Sequence, residues 1–464
     1  TTASYVKFQD GAKFGADPVT SKLSAANPSA FGFSGTNHNN NVLIGLSDGA
    51  NLSTTRPNTS IDLVGANIKV ESGASIKPKT DDKGKTIGDL PEIRLVAAKG
   101  GKEISVIKDS SGYLPLPIVN PTKLNAGVIT LNGLGSQVSS VSSTGGRIGI
   151  WSSMLNVLDS AGVSATKEGE YTFDASNANG IHVINNITNL SSNTSIYSYM
   201  NSSTINGAKG ETGGIYIDSV NRLTMSGAAQ IKTATDASSK GGDITIRAGR
   251  LDLINKGHEK ATKIFSGTFG DGESGKINIS IKNDLNMGGF SLIRSYAGFY
   301  SRGSTGSINI SARNVFIKNM TSGKDSDSSG ISSYIYVGTG TTGSVSVHAK
   351  NNIGITSQYI YDDSKGGILG EDTRITGIVS RIFHPLTRVP REMGAVNVSA
   401  GRGINMNGVG GRGPYDSSSI FNFFNASSFP AIASIAYSFN SSMKGIHIVA
   451  GQGGISMKSA LVST

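Results

Sequence analysis

The sequence predicts an all-β chain wound as a right-handed parallel β-helix (a solenoid), with extra-helical hairpins and insertions at its corners. Three observations carry this expectation. A glycine-led strand, "GGDITIRAG" at 241–249, returns as "GKINISIK" from Gly275, "GSINISAR" from Gly306 and "GSVSVHAK" from Gly343. Each copy alternates Ile or Val with polar residues, the period of a half-buried strand. The gaps between copies vary in length, which suits a solenoid whose strands are fixed while its corners accept insertions at little entropic cost.

Anchor glycines stand at 146, 180, 214, 242, 275, 306, 343, 394 and 445, separated by 34, 34, 28, 33, 31, 37, 51 and 51 residues. A second strand follows within each unit, as in "RLDLIN" (250–255), "DLNMGG" (284–289), "NVFIKN" (314–319) and "NIGITS" (352–357). A third carries Ile or Leu near its middle, as in "AQIKT" (229–233), "KIFSG" (263–267) and "SLIRS" (291–295). Three short strands per unit describe one coil, and stacked coils lie about 4.8 Å apart. Alternation then points Ile244 and Ile246 inward, Asp243 and Thr245 outward. Ile148, Ile215, Ile244, Ile277, Ile308 and Val345 are expected to stack in one inward column. One coil cannot bury its own apolar side, so the stack must be continuous. Glycine suits the corners because the chain there needs positive φ or close backbone approach. A β-sandwich fits less well, since no regular Asn-Gly or Asp-Gly turns join the copies.

Composition narrows the classes further. Of 464 residues 61 are glycine and 16% are charged, a low charge content that regular Val/Ile alternation keeps from reading as disorder. There is no uninterrupted apolar run long enough to span a bilayer as a helix. The opening "TTASYVKFQDG" lacks a charged-then-apolar leader pattern, so a signal peptide is expected to be upstream or removed. Cysteine is absent and the six His are scattered, so no transition-metal site and no cofactor is expected. Forty-two basic against 32 acidic residues give a net charge of +10, which favours anionic partners. No basic run points to specific nucleic acid.

Before Gly127 the rhythm differs. "TSIDLVGANIKVESGASIKPKT" (59–80) and "EIRLVAAKGGKEISVI" (92–107) alternate strictly with shorter returns. The cluster "LPLPIVNP" follows, and proline lacks the donor a strand ladder needs. The division expected is therefore 1–113, a β-helix domain; 114–126, a proline-containing seam; and 127–464, the repeat body with long insertions at 358–393 and 407–444.

The residues "ASYVKFQDGAKFGADP", "NPSAFGFSGTN" (27–37) and "LVGANIKVESGASIKP" with "EIRLVAAKGGKEISV" resemble the secretion domain of two-partner-secreted exoproteins, the filamentous-haemagglutinin family of Gram-negative bacteria. The body is similar to repeats found downstream in such exoproteins. The resemblance is strong over 3–107 and 213–350 and looser over 360–444. It implies that 1–113 is the C-terminal part of a secretion domain, exported through an outer-membrane transporter to the cell surface or medium. The family's asparagine-proline signature is not matched by Asn27-Pro28 or Asn120-Pro121, so no transporter-contact residue is carried over.

Parallel β-helices also host polysaccharide lyases and hydrolases, whose chemistry needs clustered carboxylates. Candidates are Asp81-Asp82, Asp325 with Asp327, Asp362-Asp363 and Glu371-Asp372, all in Ser/Gly/Lys-rich segments where acids usually serve as turn formers. "GKDSDSSG" (323–330) lacks the terminal Glu of a calcium loop. His182 and His447 occupy equivalent outward positions seven coils apart and cannot share a metal. The two 51-residue units hold the distinctive insertions. One places Arg374, Arg381, Arg388 and Arg391 in a single segment; the other concentrates Phe421, Phe423, Phe424, Phe429 and Tyr437, with Phe439. Either these loops pack back over the coil, or they form a basic and aromatic platform, since aromatics stack on sugars and Arg pairs with acidic groups.

The expected function is thus a non-enzymatic, secreted adhesin or extracellular fibre component that binds host or bacterial surface glycans or anionic polysaccharide. A β-helix polysaccharide-degrading enzyme and a haem-carrier capture exoprotein stand as alternatives. The last unit, "GIHIVAGQGGISMKSALVST" (445–464), shows two strands of a three-strand coil and no polar cap, which an isolated solenoid normally needs. A continuing chain, or end-to-end self-association into fibres, is expected.

Overall fold

The computed structural model describes residues 5–9, 13–15, 28–33, 43–53, 60–77, 79–80, 86–87, 92–99, 102–108, 114–117, 126–142, 146–167, 181–191, 194–200, 213–235, 240–255, 260–321, 330–359, 375–382, 391–409, 429–436, 441–458 and 461–463. Among them every regular element is a strand. The strands stack in parallel as a β-helix-like solenoid of three faces.

The first face runs from Ser60–Gly65 through Glu92–Ala97 and Arg147–Trp151 to Val345–Ala349, Val396–Ala400 and Ile446–Ala450. The second runs from Leu43–Leu46 to Gly454–Lys458. Ile181–Leu190, Ile215–Ser226 and Ile244–Asn255 each pass from the first face into the second as one strand, so the two faces form a single 20-stranded sheet. The third face is a separate 12-stranded sheet. In the final coil a third strand, Leu461–Ser463, pairs with the strand Phe429–Ala436. This corrects the two-strand reading of that unit: "LVS" is too short for its alternation to register, and only pairing defines it.

Register places Ile148, Ile181, Ile215, Ile244, Ile277, Ile308, Val345 and Val396 in one column. All eight are buried, each contributing about 2 kcal/mol of apolar burial. The expected six-residue column is therefore present. Ile231, Ile264, Ile293, Ile331, Ile378 and Ile432 form its counterpart on the third face.

The anchor glycines are explained by close approach. A Cβ on Gly275, Gly306, Gly343 or Gly394 would run into the backbone of the anchor glycine one coil before, and none of the four has positive φ. A buried hydroxyl accepts from the glycine N–H at this crowded corner. Ser274 Oγ lies 2.7 Å from Ser295 Oγ, Thr305 Oγ1 2.6 Å from Ser333 Oγ, and Thr342 Oγ1 2.8 Å from Ser380 Oγ. Those same corner hydroxyls accept from the N–H of Gly306, Gly343 and Gly394 at 2.8, 2.8 and 3.0 Å. A buried donor left without such a partner would cost about 1–3 kcal/mol.

Outside the ladder, Tyr5–Phe8, Lys13–Gly15, Pro28–Phe33 and Lys102–Ser105 form a four-stranded antiparallel sheet. Lys79–Thr80 and Thr86–Ile87 make a further antiparallel pair. Residues 114–117 lie against the outside of the first face. Leu114 N–H donates to the buried Glu92 at 2.8 Å, and Pro115 O accepts from Arg94 Nη1 at 2.7 Å. The strand ladder runs directly from Glu92–Ala97 to Arg147–Trp151.

Candidate functional site

The outer side of the third face carries a strip of rings and cations. Alternation that sends Ile264, Ile293 and Ile331 inward turns the neighbouring positions outward. One outward column passes through Lys232, Phe265, Arg294 and Ser332; the next passes through Ala234, Gly267, Tyr296 and Tyr334. Ring centroids are 5.6 Å apart for Phe265 and Tyr296, 5.9 Å for Phe269 and Tyr296, and 5.8 Å for Tyr296 and Tyr334. Tyr336 extends the group, 6.2 Å from Tyr334.

Glycine makes the strip possible. A Cβ at Gly267 would strike the Phe265 ring, and one at Gly298 would come within 2.7 Å of the Phe269 ring. With no side chain beneath them, the rings lie down along the sheet. Cations sit over their faces: Lys232 Nζ is 5.6 Å from both Phe265 and Phe269, Lys263 Nζ 5.5 Å from Phe265, and the Arg294 guanidinium 5.2 Å from Tyr334. Each such contact contributes about 0.5–1 kcal/mol at an exposed site. Burial pushes the Tyr296 phenol up from its ordinary value, with Arg294 opposing, so the hydroxyl stays a neutral donor. Phe269 remains 43% exposed. Rings that offer faces beside cations can stack on sugar rings and pair with their acidic groups.

Of the residues singled out from sequence, Arg381 falls on this face: its strand, Ile375–Ile382, pairs Arg381 with Tyr334. Phe429 opens the next third-face strand and pairs with Ile375. Arg391 lies in Arg391–Met393, a short strand pairing with Ser441–Met443. Arg374, Arg388, Phe421, Phe423, Phe424 and Tyr437 lie outside the described residues, as do Asp81-Asp82, Asp325, Asp327, Asp362-Asp363 and Glu371-Asp372. Lys232, Phe265, Phe269, Arg294, Tyr296 and Tyr334 were missed by sequence reasoning. Their signal was present: a ring or cation one, three or five residues after the third-strand isoleucine.

Among the described residues, no three His, Asp or Glu side chains come together as metal ligands would. Asp252 is the most enclosed carboxylate among the described residues, at 0% side-chain exposure. It accepts from Arg222 Nε (2.9 Å), Arg250 Nε (2.9 Å) and Asn286 Nδ2 (2.8 Å). Both its oxygens are engaged by neighbours from three successive coils, so it clamps the second face and has no opening for acid–base work. No family model, curated protein or solved structure matches the chain.

Proposed function

We propose that the chain is the recognition stem of a secreted, non-enzymatic cell-surface adhesin or fibre component that holds acidic glycans against its third face. The outward strip of half-buried Tyr296 and Tyr334 and exposed Phe269, packed over the buried Phe265 beside Lys232, Lys263 and Arg294, carries this reading. Rings from successive coils stand about 4.8 Å apart along the axis, close to the length of one sugar unit, so a polymer can engage several coils at once. The net charge of +10 favours an anionic polymer. Within this proposal belong the filamentous-haemagglutinin type, export by two-partner secretion through an outer-membrane transporter, and a place at the surface of a Gram-negative cell. The resemblance of residues 3–107 to that family's secretion domain supports all three. Right-handed winding belongs here too, being the hand that crossovers between parallel strands favour.

A glycan array with the purified chain tests the reading. Acidic glycans are expected to bind. Phe269→Ser with Tyr334→Ser should abolish most of that signal, while Lys232→Ser with Arg294→Ser should weaken it and flatten its salt dependence. Exchanging Arg381, Arg388 and Arg391 together for Ser measures what the basic segment adds. Unchanged binding in the ring and cation variants would remove the strip from consideration. Release of shortened oligosaccharides from a bound polymer would favour the enzyme alternative.

A further inference from the structure

The outer side of the first face carries a second site of different chemistry. Two outward columns run side by side from Ile244–Asn255 to Val396–Ala400. One includes Asn278, Asn309 and Asn397. The other holds Arg247, Ser280, Ser311, His348 and Ser399. The short serines at 280 and 311 stand between the longer Arg247 and His348. That difference in reach opens a trough of about 460 Å³ across five coils.

Its polar groups are oriented by bonds between coils. Asn309 Nδ2 donates to Asn278 Oδ1 at 3.0 Å, and Asn397 Nδ2 donates to Ser346 Oγ at 3.3 Å. His348 Nδ1 lies 2.7 Å from Ser399 Oγ. At the other end the Arg247 guanidinium rests 5.7 Å from the centre of the Tyr216 ring and donates to Tyr216 Oη at 3.3 Å. Side chains ordered in this way lose little further freedom when a ligand arrives.

The lining selects the ligand. Its outward side chains are hydroxyls and amides, with one imidazole and one guanidinium, and no carboxylate. A protein partner would look for apolar anchor pockets, and a nucleic acid for a row of cations to neutralise phosphates. A compact small molecule would need enclosure. The trough offers none of these. What it offers is a line of groups that both donate and accept, repeated once per coil, which matches the hydroxyls of a chain of sugar rings. We propose that the trough binds a linear, neutral polysaccharide lying along the solenoid axis. This site is separate from the third-face strip in place and in the charge of its ligand.

Isothermal titration of the full chain with cellohexaose, xylohexaose and mannohexaose tests it. At least one should bind, with an affinity insensitive to salt. Ser280→Phe with Ser311→Phe fills the trough at two exposed strand positions where an aromatic is well tolerated. It should weaken that binding by about tenfold or more, the equivalent of two lost hydrogen bonds. Asn309→Ala gives the same direction without added bulk, and the Phe269→Ser/Tyr334→Ser variant should bind as the parent does. Failure of all three hexasaccharides to bind, or equal binding by the filled variant, overturns the proposal. Loss of neutral-sugar binding in the ring variant instead would overturn it while extending the role of the third-face strip.

Discussion

The first face is one continuous ladder, yet its two ends treat the same outward columns in opposite ways. At the N-terminal end one column reads Asp62, Arg94, Gly149, and further along it reads Thr245, Asn278, Asn309. The adjacent column begins Val64, Val96, Trp151 and becomes Arg247, Ser280, Ser311. The early positions are covered. Trp151, Val64 and Val96 pack with Ala98, Ile104, Ala126 and Leu116, while Arg94, 1% exposed, joins Asp62 through Nε at 2.8 Å and Nη2 at 2.6 Å. The later positions are open and polar. Inward isoleucines are interchangeable between the two regions, so stacking alone sets the coil. Outward residues decide whether a coil carries a layer of chain or faces a ligand.

Breaking the covered region should cost far more than altering the open one. Asp62→Ala strands the Arg94 guanidinium in a site with almost no solvent, and removing one partner of a buried pair costs about 3–5 kcal/mol. Replacing both, as Asp62→Leu with Arg94→Met, should recover much of that loss. Denaturant midpoints and hydrogen exchange along Glu92–Ala97 measure both. In the open region, Asn309→Ala should change stability by no more than about 0.5 kcal/mol.

The anchor glycines sharpen the comparison from inside the coil. Gly306→Ala forces a methyl group against the Gly275 backbone and should destabilise by about 1–3 kcal/mol through overpacking. Gly288 has nothing within 4 Å of an added Cβ and no positive φ, so Gly288→Ala should be close to neutral. Thermal midpoints of the two variants test whether steric stacking, and not backbone freedom, explains the repeat's glycine.

Thr305→Val removes a buried hydroxyl that both lies against Ser333 and accepts from Gly343 N–H. A loss of about 1–3 kcal/mol is expected from the orphaned donor. The half-buried Ser304, whose hydroxyl lies 3.0 Å from Thr341 Oγ1 and accepts from Thr341 N–H where water can replace it, should show a much smaller effect when changed to Ala. Comparative proteolysis of the two variants would separate them.

The smallest effect is one of pH. Burial pushes the Glu92 carboxyl up from its ordinary value, against the lowering influence of Leu114 N–H, Arg147 and Ser60. A carboxyl raised on folding binds more protons in the folded than in the unfolded chain, so its contribution to stability declines as pH rises from the usual Glu range through the raised value. Glu92→Gln keeps an acceptor for Leu114 and removes the charge. Its thermal midpoint should vary less with pH than the parent's over that window. A parallel pH profile for both proteins would count against it.

Much of the coil is legible in the sequence. Ile244, Ile277 and Ile308 recur after their glycines because every coil must fill the same interior, and that demand repeats at short range in the chain. The binding faces were harder to see. Phe265, Tyr296 and Tyr334 sit about 30–40 residues apart in sequence and meet only because third-face strands stack in register. The dense runs of Arg and Phe at 373–393 and 419–439 are visible in sequence because they are local, whereas ladders of ring and cation are assembled one residue per coil.

By itself the sequence determined the all-β class, the three-strand unit and the inward column, since period-2 alternation and steric intolerance at the anchor glycine act on neighbouring residues. Tertiary structure decided which outward positions are sheltered and which are offered to a ligand. Arg94 and Thr245 share one column and obey one local pattern. Only the packing of residues 114–117 over the early coils makes one a buried ion and leaves the other beside an open trough. Burial of an outward side chain depends on what the rest of the chain lays across it, a property no single strand contains.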